Sequence, residues 1–229
     1  MARRYAVDGA LAVCFAALMA TALVYPVAHE WLGVAVVVLA AVHAVMHRAQ
    51  LGGHARSTRT RPAGQADPLR RAARGVGYAL MAVLAVLLAA QLASAVVISR
   101  HVFWFLPALD GADAARHVHL ALAYWIFVLA AFHAGFSLWP HIARRGARRL
   151  VAFRACALVL AVAGAAAFVQ LDAASYLSGQ VAFAAVDFTK PVAVGIVQFL
   201  LVAVLFAEAG ALVRRGLSGT RPHAGNRSA

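Results

Sequence analysis

Six stretches of this chain stay apolar long enough to cross a bilayer, which requires about twenty residues of helix. They run over 8–26, 29–48, 74–98, 116–140, 151–171 and 192–213. Lipid offers no water to unpaired backbone N–H and C=O groups, so open sheets are excluded and helices satisfy each segment internally. The expected fold class is all-α, an integral membrane bundle of six transmembrane helices forming one domain over 1–229. Composition agrees: 64% of residues are hydrophobic and 13% charged, against about a quarter charged in soluble domains. The first run follows Arg3 and Arg4 and looks like a signal peptide, with Ala20-Thr21-Ala22 as a cleavage site. An uncleaved helix is expected, because cleavage would unbalance the six spans.

The net charge of +13 is distributed unevenly. Of 21 basic residues, only Arg100, Arg116 and Lys190 fall in the connections after the first, third and fifth spans, beside Glu30, Asp110, Asp113, Asp172 and Asp187. The rest crowd the N-terminus, the connections after the second and fourth spans, and the C-terminal tail. The positive-inside rule then places both termini in the cytoplasm. The basic excess is a topology signal, and without an aromatic-basic surface module no nucleic-acid partner is expected. Gln50–Ala73, rich in Gly, Ser, Thr, Pro and Arg, reads as a flexible cytoplasmic linker, and 216–229 as a disordered tail. The outer connections keep apolar and aromatic residues at 101–107 and 176–188, and Trp31, Trp104 and Tyr176 fit an interfacial belt against membrane lipid. Cys14 and Cys156 lie inside apolar runs, and no Cys-x-x-Cys-His occurs, which excludes covalent c-type haem attachment.

One pattern recurs within two of the runs. His29–His43 reads HEWLGVAVVVLAAVH and His119–His133 reads HLALAYWIFVLAAFH. In each, two histidines stand fourteen residues apart, about 21 Å along a helix and nearly four full turns, so both rings share one face. Between them that face carries Gly33, Val36 and Ala40, or Ala123, Ile126 and Ala130, small enough for a flat, bulky group to lie against. The predicted topology runs both spans from outside to inside, which pairs His29 with His119 at one depth and His43 with His133 at the other. Ionisable residues inside a span are costly and count as functional candidates. Neutral imidazoles are membrane-haem ligands, and each ligating ring is expected to donate its other N–H to a carbonyl or hydroxyl. The pattern predicts two non-covalent haem b groups, each held by two histidines.

The remaining histidines fit less well. His47 shares the face of His29, but the corresponding position in the fourth span is Ser137. His117 lies on another face, His101 and His141 border the spans, and His54 and His223 fall in basic segments. Arg100 and Arg116 border the outer histidines and suit haem propionates, although interfacial snorkelling explains them equally. Glu208 near the inner end of the last span suits either a quinol or the interface.

Taken together, HEWLG at 29–33, His43, Ser99-Arg100-x-Val102-Phe103-x-Phe105-Leu106-Pro107, His119, Ala123-Tyr124-Trp125, His133, Ser175-Tyr176-Leu177 and Asp187-Phe188 resemble the flavinylation-associated cytochromes of bacteria. Their extra histidines beside the positions of His43 and His133 are missing, replaced by Ala44 and by residues such as Phe136 and Ser137. The resemblance implies a multi-pass protein of the bacterial cytoplasmic membrane that passes electrons between a quinol or cytoplasmic donor and an extracytosolic flavin-carrying protein. Without a nucleotide-binding glycine loop, the chain is expected to be one component of an oxidoreductase system rather than a complete reductase. Two rival readings are a transporter that uses intramembrane histidines and a cofactor-free anchor or assembly subunit.

Overall fold

The structure, a computed structural model, describes residues 2–21, 25–59, 68–107, 109–143, 147–183 and 190–218. Every regular element among them is helical: α1 (Ala2–Thr21), α2 (Pro26–Arg59), α3 (Pro68–Ile98), α4 (Ala112–Ile142), α5 (Ala147–Gln170), the short α6 (Ala173–Leu177) and α7 (Val192–Gly216). All except α6 are long and apolar enough to cross a membrane, the build of a multi-pass membrane protein. Exposed valines such as Val86, Val162 and Val169 line its outside, where lipid is the solvent that suits them.

Local chemistry explains several boundaries. Pro26 and Pro68 begin α2 and α3 and Pro191 caps α7, positions where a missing N–H costs nothing. Gly111, at φ 87°, makes the left-handed turn into α4, a conformation glycine adopts without strain. Arg214 and Arg215 occupy the last turn of α7, where cations complement the helix dipole.

The helices overrun the expected linker. α2 continues to Arg59 and α3 begins at Pro68, since the Ala- and Arg-rich sequence on both sides favours helix despite its polarity. Only 60–67 of that linker lies outside the described residues. The tail expected to be disordered from 216 begins with the last residue of α7, and 219–229 lies outside the described residues. So do Asp187 and Phe188.

The core sits where α1, α4, α5 and α7 meet, around Ala16, Phe127, Ala167, Phe199 and Val202. Phe127 meets Phe15 and Phe199 edge-on, with centroids 5.4 and 5.5 Å apart, a favourable quadrupole geometry. α7 is the hub, packed on α4, α5 and α1. Three glycines allow that approach. A Cβ on Gly135 or Gly210 would collide with backbone across the α4–α7 contact, and one on Gly164 with α7. Small residues at helix crossings are how bundles gain close packing when lipid removes the hydrophobic drive between helices.

α2 is placed differently. It packs closely along α1 alone, while α3 packs on α4. Among the described residues the backbones of α2 and α4 stand further apart, a gap spanned by side chains, and the repeated histidines meet across it.

Candidate functional site

The gap is walled by side chains that the repeat predicts. Val36 on α2 and Ile126 on α4, midway between the histidines, are buried. At Gly33, one turn inside His29, an added Cβ would meet nothing within 4 Å. The wall is thus closed at the middle and open toward the His29–His119 end, termed outer after the predicted topology, with the His43–His133 end termed inner.

At that outer end His29 and His119 face each other with ring centroids 6.4 Å apart and planes inclined at 68°. Metal–imidazole bonds of about 2.0–2.1 Å would put two imidazoles on opposite sides of one metal with centroids on the order of 6 Å apart. The pair therefore stands at a separation that two imidazoles sharing one metal would have.

Hydrogen bonds fix which nitrogen each ring presents. His29 Nδ1 lies 3.0 Å from the Leu18 carbonyl oxygen; a carbonyl only accepts, so Nδ1 carries the proton and Nε2 the lone pair. The Ser94 hydroxyl donates to the Gln91 carbonyl at 2.8 Å, leaving its oxygen to accept from His119 Nδ1 at 3.1 Å. The Gln91 amide nitrogen then donates to His119 Nε2 at 3.1 Å. His43 Nδ1 donates to Asp8 Oδ1 at 2.7 Å. Three of the four repeated histidines thus share one tautomer, with Nδ1–H held and Nε2 basic. Metal-ligating histidines are oriented this way.

The inner end holds more than a pair. The His47 ring lies against that of His43, 4.5 Å between centroids and tilted by 35°, and its Nε2 lies 3.6 Å from Asp8 Oδ1. The ligand atoms of Asp8, His43 and His47 all fall within 4.8 Å of one another. His133 on α4 lies within electrostatic reach of all three, and its Nδ1 and the Nε2 of His47 are buried without a hydrogen-bond partner among the described residues. His29 and His119 thus meet ring to ring, while His43 and His133 lie within electrostatic reach of each other. His47, set aside for want of a partner in α4, finds its partners in α1 and α2.

The arginines are placed less specifically. Arg116 pairs with Asp113 of its own helix at 3.1 Å and covers the Phe183 ring at 5.9 Å. Arg100 is exposed at the end of α3. Its backbone N–H, with those of His101 and Val102 and the Ser99 hydroxyl, donates to the Glu30 carboxylate at 2.7–3.0 Å. Glu30 so pins the outer connection beside His29. The next outer connection folds over α4: His117 Nε2 bonds the Gly179 carbonyl at 2.6 Å, Trp125 donates to the Leu177 carbonyl at 2.9 Å, and Tyr124 stacks on Tyr176 at 4.3 Å.

Sequence reasoning passed over Asp8, Gln91, Ser94 and the Leu18 carbonyl. Gln91 and Ser94 carry a readable signal, because polar residues three apart in an apolar run share one helix face. Asp8, an acid within the first span, carries one too. A backbone carbonyl leaves none.

Compared with protein families, curated proteins and solved structures, the chain matches none. The chemistry of the site has to carry the functional reading.

Proposed function

We propose that this protein is a membrane cytochrome b that carries electrons between the two faces of a bilayer through two non-covalent haems. The observation that carries the reading is the outer pair: His29 and His119, 6.4 Å apart across a gap with open space at Gly33. His29 and His119 would hold the outer haem, and His43 and His133 the inner one. Haem supplies a reversible one-electron change at iron, with a potential set by its ligands and surroundings.

The chain's own residues orient and insulate. Leu18, Ser94 and Asp8 hold Nδ1–H of their histidines so that each Nε2 points a lone pair away from its anchor. Gln91 occupies His119 Nε2 and yields it when a ligand arrives. Val36 and Ile126 keep the middle of the gap dry. Arg100 and Arg116 border the outer end and suit propionates. Both termini lie in the cytoplasm in this reading, in a bacterial cytoplasmic membrane, because the basic residues gather on that side. The donor is a quinol or a cytoplasmic protein. The acceptor is an extracytosolic flavin-carrying protein, for which exposed Trp104, Phe105 and Phe183 offer an outer surface.

Dithionite-minus-oxidised spectra of the purified protein test the reading. A shifting Soret band is expected, with about half of the haem lost in His29→Ala and in His119→Ala. Full haem content in both variants would sink the assignment.

The Asp8, His43 and His47 cluster favours a second reading, a transporter or permeation protein for divalent metal ions. It predicts haem-free protein that binds zinc through those side chains.

A further inference from the structure

The two ends of the gap hold their histidines by different chemistry. At the outer end, Nδ1–H of His29 and of His119 meet neutral oxygens, at 3.0 and 3.1 Å. At the inner end, Nδ1–H of His43 meets a carboxylate at 2.7 Å. Asp8 reaches His43 from α1, across 35 residues of sequence. An acidic side chain in a membrane-spanning helix costs free energy unless it is paired, and the ring of His43, backed by His47, supplies the pairing.

We propose that Asp8 is a positioning residue which, acting through His43, makes the inner haem the more reducing of the two and so directs electrons from the inner face to the outer. The inference rests on the two-haem reading and adds to it the residue that sets the direction.

A carboxylate drawing on Nδ1–H leaves more electron density on Nε2, and a more basic ligand stabilises ferric over ferrous iron. The negative charge of Asp8 acts in the same sense. Competing charges are weaker or already engaged. Glu30 lies within electrostatic reach of His29, but its oxygens take four donors from residues 99–102 and none from the ring. On the inner side, Arg214 covers the Phe136 ring at 5.1 Å and Arg48 is exposed. Both oppose Asp8, from outside the hydrogen bond that it makes. A charge in direct contact outweighs more distant ones. Haem held at the two levels would supply the one-electron change, the inner group giving an electron to the outer one and taking its replacement from the quinol or cytoplasmic donor, with no bond formed or broken.

The test is a redox titration of the intact protein, wild type and Asp8→Asn, with a pyridine haemochrome count on each sample. The inference expects two haems in both proteins. The lower-potential component should rise in Asp8→Asn by about 59 mV or more, tenfold in the one-electron equilibrium. The higher component should stay in place, and Asp8→Glu should restore most of the wild-type value. A second variant serves if Asp8→Asn does not fold: His43→Ala should remove the lower-potential component. Two haems with the lower component unmoved, or loss of the higher one in His43→Ala, would overturn the direction and leave the cytochrome reading intact. One haem accompanied by a transition-metal ion that Asp8→Asn or His47→Ala releases would assign the cluster to an ion and overturn the inference. Wild-type protein without haem would overturn the cytochrome reading itself.

Discussion

The residue that ties the outer end together is Glu30, and nothing local in the sequence announces it. Its carboxylate collects the Ser99 hydroxyl and three backbone N–H groups from residues 100–102, seventy positions away. Hydrogen bonds to a charged group contribute about 1.5–3 kcal/mol each when well formed. Glu30→Gln keeps the shape, loses the charge and turns one acceptor into a donor facing N–H groups. The expected result is a destabilisation of about 2 kcal/mol or more, read as a lower unfolding midpoint in detergent, with the inner haem unaffected. The repeated histidines were legible because a fourteen-residue spacing maps onto one helix face. The setting of His47 was not legible, because Asp8 lies on α1, outside the α2–α4 comparison that the repeat invites.

Among elements, number and kind followed from the apolar runs, while their ends and mutual packing did not. Hydropathy ends a span at the interface, but α2 and α3 continue as helix beyond it because Ala and Arg favour helix in water as well as in lipid. α6 was invisible to a search for long runs, being five residues held by contacts with α4 and α5. Glycines show how differently one residue type serves. Gly135 and Gly210 sit in backbone-to-backbone contact between α4 and α7, whereas Gly33 borders open space. Gly135→Leu is therefore expected to force α4 from α7 and lower the unfolding midpoint sharply. Gly33→Ala should leave stability unchanged. Gly33→Phe should fill the gap, keep the fold and reduce outer-haem content. Thermal unfolding paired with haem absorbance separates these outcomes, and equal stability loss at Gly33 and Gly135 would contradict the packing described.

At the scale of the whole molecule, a tight bundle of α1, α4, α5 and α7 carries α3 on one flank and α2 standing off across a gap. A chain selected only to anchor a partner would gain by closing that gap. Instead it keeps three imidazoles in one tautomer, histidines facing one another across α2 and α4, and buried nitrogen atoms at His47 and His133 without a hydrogen bond among the described residues. Such a set of polar groups inside lipid is costly unless something binds there. The most direct test is the haem content of the purified wild-type protein, by pyridine haemochrome against a protein count from amino-acid analysis. The account predicts close to two haems b per chain; protein that is folded, monodisperse and free of haem would contradict it.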